Sequence, residues 1–249
     1  MDAGGPSQHD RKGLAAAFGA YIIWGFLPLY LILVQTVPAF EFVGWRIIWT
    51  LPLCLLIALF RKQGGELRAA LGNRRTVGWL ALSASLIAVN WVVYVWAIQT
   101  GEVYAASLGY YINPLVNVLL GTALLGERLT RPQWLAVGIA AVGVSLLAAG
   151  AVTTLWISLT LALTFGTYGL IRKRVVVGSV PGLTIESLLL LLPSIGVVWY
   201  YAQTQGSSFA VSTELSLSIM LGGVLTAVPL LMFAIAARKL PYSMLGFIQ

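Results

Sequence analysis

The stretch VYAASLGYYINPLVNVLLGTALL, residues 103–125, contains no Asp, Glu, Lys or Arg. At ~1.5 Å per residue it crosses a ~30 Å hydrocarbon core as one helix. Outward from it, the same pattern recurs at 14–34, 42–60, 76–98, 133–151, 152–171, 183–203 and 216–236. Six of these eight spans carry no charged residue, and only Arg46 and Glu186 interrupt the other two. A ninth apolar stretch opens near Tyr242 and runs to Gln249. The runs are continuous rather than alternating, which favours helices over the strands of a membrane barrel.

Composition agrees. Of 249 residues, 59% are hydrophobic and 9% charged, whereas a soluble domain has about 45–50% apolar and about 25% charged residues. So few charges cannot cover a water-facing surface, and so much Leu, Val, Ala and Trp rules out disorder. The single Cys, Cys54, excludes a disulfide framework and a cysteine zinc site. The single His, His9, lies in a polar tail. No metal and no cofactor are therefore expected. The segment GTALLGER (121–128) has the outline of a phosphate loop but carries Glu127 and Arg128 where Lys and Ser/Thr are needed. The acids Glu41, Glu102, Glu127, Glu186 and Glu214 all read as lying near span edges. Proton coupling through a buried acid is thus not expected, and neither is an intramembrane enzyme.

Arg11 and Lys12 before an apolar run resemble a secretory signal. The run is too long for the 7–15 residues of a signal core, and no small-residue cleavage site follows, so a retained first helix is expected. Fourteen of the 15 Lys and Arg fall on one side of the predicted topology: in the tail, in the 61–75 connection, between helices four and five, and after helices six and eight. The positive-inside rule then places the N-terminus in the cytoplasm. The net charge of +7 reflects topology and contact with anionic lipid, not nucleic acid, since no basic patch carries aromatic spacing.

Weak internal similarity links the two halves. Ser107-Leu108-Gly109-Tyr110 resembles Met244-Leu245-Gly246-Phe247, Ala88-Val89-Asn90 echoes Ala227-Val228-Pro229, and Trp24-Gly25 echoes Phe165-Gly166. A shift of five spans inverts the second copy in the membrane, as in many secondary transporters. Residues 113–150 then have no counterpart after Gln249. The natural gene product is expected to continue to ten helices with a cytoplasmic C-terminus.

Arg46 is the most expensive residue, costing about 2.5–3.5 kcal/mol at mid-span on insertion scales. Two readings stand: it anchors an anionic or carboxylate-bearing ligand in a cavity, or it snorkels along Trp45 and Trp49 or finds a structural partner. Glu41 is a poor partner, five residues earlier and ~140° round the helix. Asn90 and Tyr94 share a face, and Ser107, Tyr110, Asn113 and Asn117 form one polar stripe. Pro114 is expected to break the helix there and free the Tyr110 carbonyl. A proline-broken midplane helix points to a transport site, while interhelical hydrogen bonding is the bland alternative for each amide.

At these residues the chain resembles a known group. WRIIWT (45–50), NWVVYVWAI (90–98), SLGYYINPLVNVLLG (107–121), GERL (126–129) and LGFIQ (245–249) are similar to the RarD-type permeases, in the EamA branch of the drug/metabolite transporter superfamily. YIIWGFLPLY (21–30) and VPAFE (37–41) fit its opening. The resemblance implies ten helices as two inverted five-helix repeats in a bacterial inner membrane, both ends cytoplasmic, in a permease whose family name is linked to chloramphenicol sensitivity. The usual His before the second-helix arginine is Trp45 here, so no role for that His carries over.

The expectation is therefore an all-α, polytopic transmembrane helix bundle. Residues 1–151 form the first five-helix repeat and 152–249 an incomplete second one. It moves a small solute (anionic, amino-acid-like or a drug) by alternating access. Arg46, Asn90, Trp91, Tyr94, Tyr110 and Asn113 line its cavity and Pro114 breaks the helix beside them. Its partners are a small-molecule solute and the lipid bilayer, with a homodimer compatible with the sequence. The rival is a non-transporting receptor or scaffold bundle, which would tie Arg46 into a structural pair and leave no pocket reaching midplane.

Overall fold

The structure, a computed structural model, describes residues 8–249, with side chains from Arg11 onward. Residues 1–7 of the polar tail lie outside the described residues, all of which fall in helices, turns or loops. The first span is two helices, α1 (Gln8–Gly25) and α2 (Leu27–Ile32). They part at Phe26, because Pro28 in the first turn of α2 has no N–H to continue the ladder. There follow α3 (Ala39–Phe60), α4 (Gly64–Gly72), α5 (Arg74–Gln99), α6 (Val103–Leu125) and α7 (Arg131–Ala149). A 3₁₀ turn at Val152–Thr154 leads into α8 (Leu155–Arg174), then α9 (Ser179–Thr204), α10 (Thr213–Lys239) and α11 (Tyr242–Ile248). Among the described residues eight helical segments are long and apolar enough to cross a membrane, where the sequence placed them.

Local chemistry sets the ends. Asn73 caps α5 by accepting from the Thr76 amide at 3.1 Å, and Ser212 caps α10 by accepting from the Leu215 amide at 3.1 Å. Thr130 and Gln133 form a capping box at the start of α7. Gly126, with φ +69°, turns the chain out of α6. The short α4, in the basic connection, was not expected; its three glycines blur any helical period.

Helices α3 and α9 lie against one another, as do α6 and α8, α1 and α10, α10 and α3, α5 and α8, and α6 and α11. Peripheral α7 rests mainly on α6 and buries no residue. Where α10 meets α3, Gly223 has no room for a side chain. A Cβ there would sit 2.6 Å from Trp49 Cβ and 2.7 Å from the Trp49 carbonyl carbon.

The ends of the helices that carry the basic residues, here the basic end, are stitched together. Glu127 accepts from the amides of Tyr242 (2.6 Å) and Ser243 (2.8 Å) and from the Ser243 hydroxyl (2.7 Å). Lys173 donates to the carbonyls of Ala237 (2.9 Å) and Leu240 (2.5 Å). Arg174 donates to the Leu124 carbonyl and Arg238 to that of Val177. The α10–α11 corner is thus clasped from both sides. Burial pushes the Glu127 carboxyl up, but the two amides, the Ser243 hydroxyl and the Lys173 ammonium outweigh it and hold it below the usual carboxylate range.

Two sequence expectations change here. Helix α9 starts at Ser179, four residues before the expected span, so Glu186 lies about two turns inside and is 1% exposed. Helix α8 continues through Arg174, so Arg172, expected in a connection, is buried too.

Gly223→Ala should destabilise the bundle by about 1–3 kcal/mol through overpacking, read as a lower thermal midpoint in detergent. The Glu127 clasp contributes its stability fully above the ordinary carboxyl value of 4.5 and loses it as pH falls through the lower folded value. The thermal midpoint should therefore drop on acidification below that point, and Glu127→Gln should flatten the dependence.

Candidate functional site

The Arg46 side chain turns inward from α3 and is 2% exposed. Its stem rests on Gly222 of α10, where a Cβ would lie 3.0 Å from Arg46 Cγ. Its Nε donates to Thr226 Oγ1 at 2.8 Å. The guanidinium carbon sits 5.1 Å from the centroid of the Trp91 ring and 5.5 Å from that of Phe42, a cation–π sandwich. Nη1 is buried with no hydrogen-bond partner. Glu41 is not its counter-ion. That carboxylate is taken by Trp45 Nε1 (3.2 Å), the Ser208 amide (2.9 Å) and the Ser208 hydroxyl (2.6 Å). Among the described residues no carboxylate lies within ion-pair reach of Arg46, so neither snorkelling nor a structural acid accounts for it.

Beside Arg46 is a cavity of about 760 Å³. Its walls come from the halves of α1, α5 and α6 remote from the basic end (Tyr21, Trp24, Trp91, Tyr94, Ser107, Tyr110, Tyr111). Phe165 of α8 and Gly246, Phe247 and Gln249 at the end of the chain complete it, with Ala136, Val137 and Ala140 of α7 on the remaining flank. The rings of Tyr94 and Tyr110 meet edge to face at 5.6 Å. Tyr110 lies mid-bundle in sequence yet is 40% exposed, because it opens onto this space.

Of the sequence candidates, the structure brings Arg46, Asn90, Trp91, Tyr94 and Tyr110 to one cavity, with Pro114. Asn90 is largely spoken for. Its Nδ2 donates to the Leu161 carbonyl and to Thr164 Oγ1, both at 2.9 Å. Asn113 is not in the wall: it is 1% exposed and donates to Gln249 Oε1 at 2.8 Å, with Asn117 behind it at 3.5 Å. The cause is the close approach of α11. Gly246 lies so near Pro114 that a Cβ would be 2.8 Å from its carbonyl oxygen, which brings Gln249, one turn on, over both amides. Pro114 also does not break its helix; α6 stays helical from Val103 to Leu125. The interrupted helix is the first span, at Phe26. Thr226 was missed, its only signal being a hydroxyl one turn after the small pair Gly222-Gly223.

A family model for the EamA-like transporter family matches residues 11–149, α1 through α7. The chain belongs to the EamA-like transporter family. Relatives of this EamA transporter include the protein RarD of Streptomyces exfoliatus, 43% identical over 97% of this chain and 77% of that one. An uncharacterized transporter of Pseudomonas aeruginosa is 45% identical over 96% of this chain and 80% of its own. RarD of Escherichia coli K12 is 38% identical over 100% and 83%. These place the chain among the RarD-type permeases, multi-pass proteins of the bacterial inner membrane. A solved crystal structure superposes with a TM-score of 0.70 at 20% identity, over 97% of this chain and 84% of that one, and shares the fold.

Thr226→Val should strip Arg46 Nε of its acceptor and cost about 1.5–3 kcal/mol, the worth of a hydrogen bond to a charged group. Thr226→Ser should keep most of it; thermal midpoints of the two purified variants make the comparison.

Proposed function

We propose that this EamA transporter carries a small solute with an anionic group by alternating access, and that Arg46 binds that group. One observation carries the reading: a guanidinium buried in the bundle, with an unpaired Nη1 and no counter-ion, at the wall of a roomy cavity. An arginine in hydrocarbon is retained where a cavity or partner meets it, and an incoming carboxylate or similar anion supplies the missing charge. Trp91, Tyr94 and Tyr110 wall the solute and offer an indole and two phenols. Asn90 sits at the edge, and Asn113 acts only by positioning Gln249.

In this reading residues 1–151 and 152–249 belong to two inverted repeats. Supporting it, α3 packs on α9 and α6 on α11, while α1·α10 matches α8·α5 and α3·α10 matches α9·α5. These four correspondences fit an exchange of halves, while the close α6·α8 packing has only a slight α1·α11 counterpart. With the basic end in the cytoplasm, the cavity faces outward and the Glu127–Lys173 clasp closes the inner side. The rival scaffold reading is disfavoured by the cavity, which reaches Phe165 and Pro114 at mid-bundle.

The test is a thermal-shift screen of the purified protein against small carboxylates and other metabolic anions. A true ligand at 100 times its dissociation constant adds about 2.7 kcal/mol. Arg46→Ala should insert normally and lose the shift. A hit that stabilises Arg46→Ala as strongly as the parent would remove Arg46 from the site.

A further inference from the structure

Among the described residues four ionisable side chains of acids and arginines are fully enclosed: Glu41, Arg46, Arg172 and Glu186. Glu41 has three donors and is satisfied. Glu186 is not. Its Oε1 accepts from the Ser83 hydroxyl of α5 and faces Arg172 Nη1 of α8 at 3.6 Å. Its Oε2 is buried with no hydrogen bond of normal geometry, although the Tyr168 hydroxyl lies beside the carboxyl. Arg172 is equally half-served: Nη2 donates to the Ser179 carbonyl at 3.1 Å and Nε has no partner. The guanidinium rests against bare α9 backbone at Gly182, where any Cβ would collide with it.

The position matters as much as the pairing. Arg46 lies seven residues after Ala39, the start of α3, and Glu186 seven after Ser179, the start of α9. The two helices pack together and run in opposite directions. Each charge meets a hydroxyl on the third span of the other half, Thr226 for Arg46 and Ser83 for Glu186. Arg46 borders a cavity remote from the basic end, whereas Glu186 is not in the wall of that cavity and lies toward the basic end.

We propose that Glu186 is a proton-binding site of the transporter, loaded from the basic end when the bundle opens there. The proposal rests on the alternating-access reading. A proton from water adds to the Glu186 carboxylate and the Arg172 ion pair parts. The neutral acid stays in the bundle, while the guanidinium, two residues before the end of its helix, reaches water. The charge balances, and a half-satisfied buried pair is a poor lock, so protonation and opening favour one another. The groups facing Glu186 are Arg172 and Tyr168 of α8, Ser83 of α5 and Cys54 of α3. Glu66 of α4 is committed to the Gly178 amide and Arg238 of α10 to the Val177 carbonyl, and neither pairs with it.

Infrared difference spectroscopy of the purified protein, taken as pH is lowered from alkaline to mildly acidic, reads the proton directly and needs no transported solute. A protonated-carboxyl band should grow in the parent, vanish in Glu186→Gln and shift in frequency in Glu186→Asp, which keeps the acid should Gln prevent folding. Alkylation of Cys54, the sole thiol, gives the second readout. At alkaline pH it should be about tenfold slower in the parent than in Glu186→Gln, equivalent to ~1.4 kcal/mol on the opening equilibrium, and the two should converge at acidic pH. A band unaffected by either substitution, or identical Cys54 rates at every pH, overturns the proposal. Arg46→Ala should keep the band, so loss of ligand binding there and loss of the proton site are separate outcomes.

Discussion

An ionised group in hydrocarbon has to be met by a counter-charge, by water or by a space that admits one, and this requirement orders the whole molecule. The polar backbone obeys a similar rule by keeping its hydrogen bonds within helices. Side chains meet it case by case. Glu41 collects an indole and a serine, Arg172 and Glu186 face one another, and Arg46 has an aromatic sandwich, one hydroxyl and a cavity. Only the last arrangement sets a buried charge without a carboxylate partner at the wall of a cavity.

Close helix approach makes these arrangements possible. Gly222 and Gly223 admit the Arg46 stem and the α3 backbone to α10, Gly182 admits Arg172 to α9, and Gly246 brings α11 onto Pro114. Without a hydrophobic drive between helices in lipid, such contacts and the hydroxyl bonds they permit hold the bundle. The absent side chains at these positions therefore determine where the polar groups end up.

The spans could be read from sequence because a bilayer imposes length and composition on each one separately. The cavity residues Arg46, Trp91, Tyr94 and Tyr110 could be read because polar and aromatic groups at mid-span are costly and need a reason. What could not be read depends on neighbours. Asn113 and Tyr110 lie on one stripe, and only the arrival of α11 turns the amide away from the cavity and leaves the phenol in it. Glu186 seemed marginal because apolarity alone does not mark where α9 begins. Pro114 promised a break that its helix absorbs, while the same residue type at position 28 does interrupt one, in a first turn where no ladder was yet established.

The α7 wall of the cavity, Ala136, Val137 and Ala140, offers neither a hydrogen bond nor a charge. The polar and aromatic lining stands on other helices, so in the proposed transport reading α7 would confine a bound molecule without binding its polar groups. In that reading capacity and selectivity would be set by different helices. A lineage could broaden or narrow the size of its cargo through α7, a helix that buries nothing, without disturbing the groups that decide what kind of cargo is accepted.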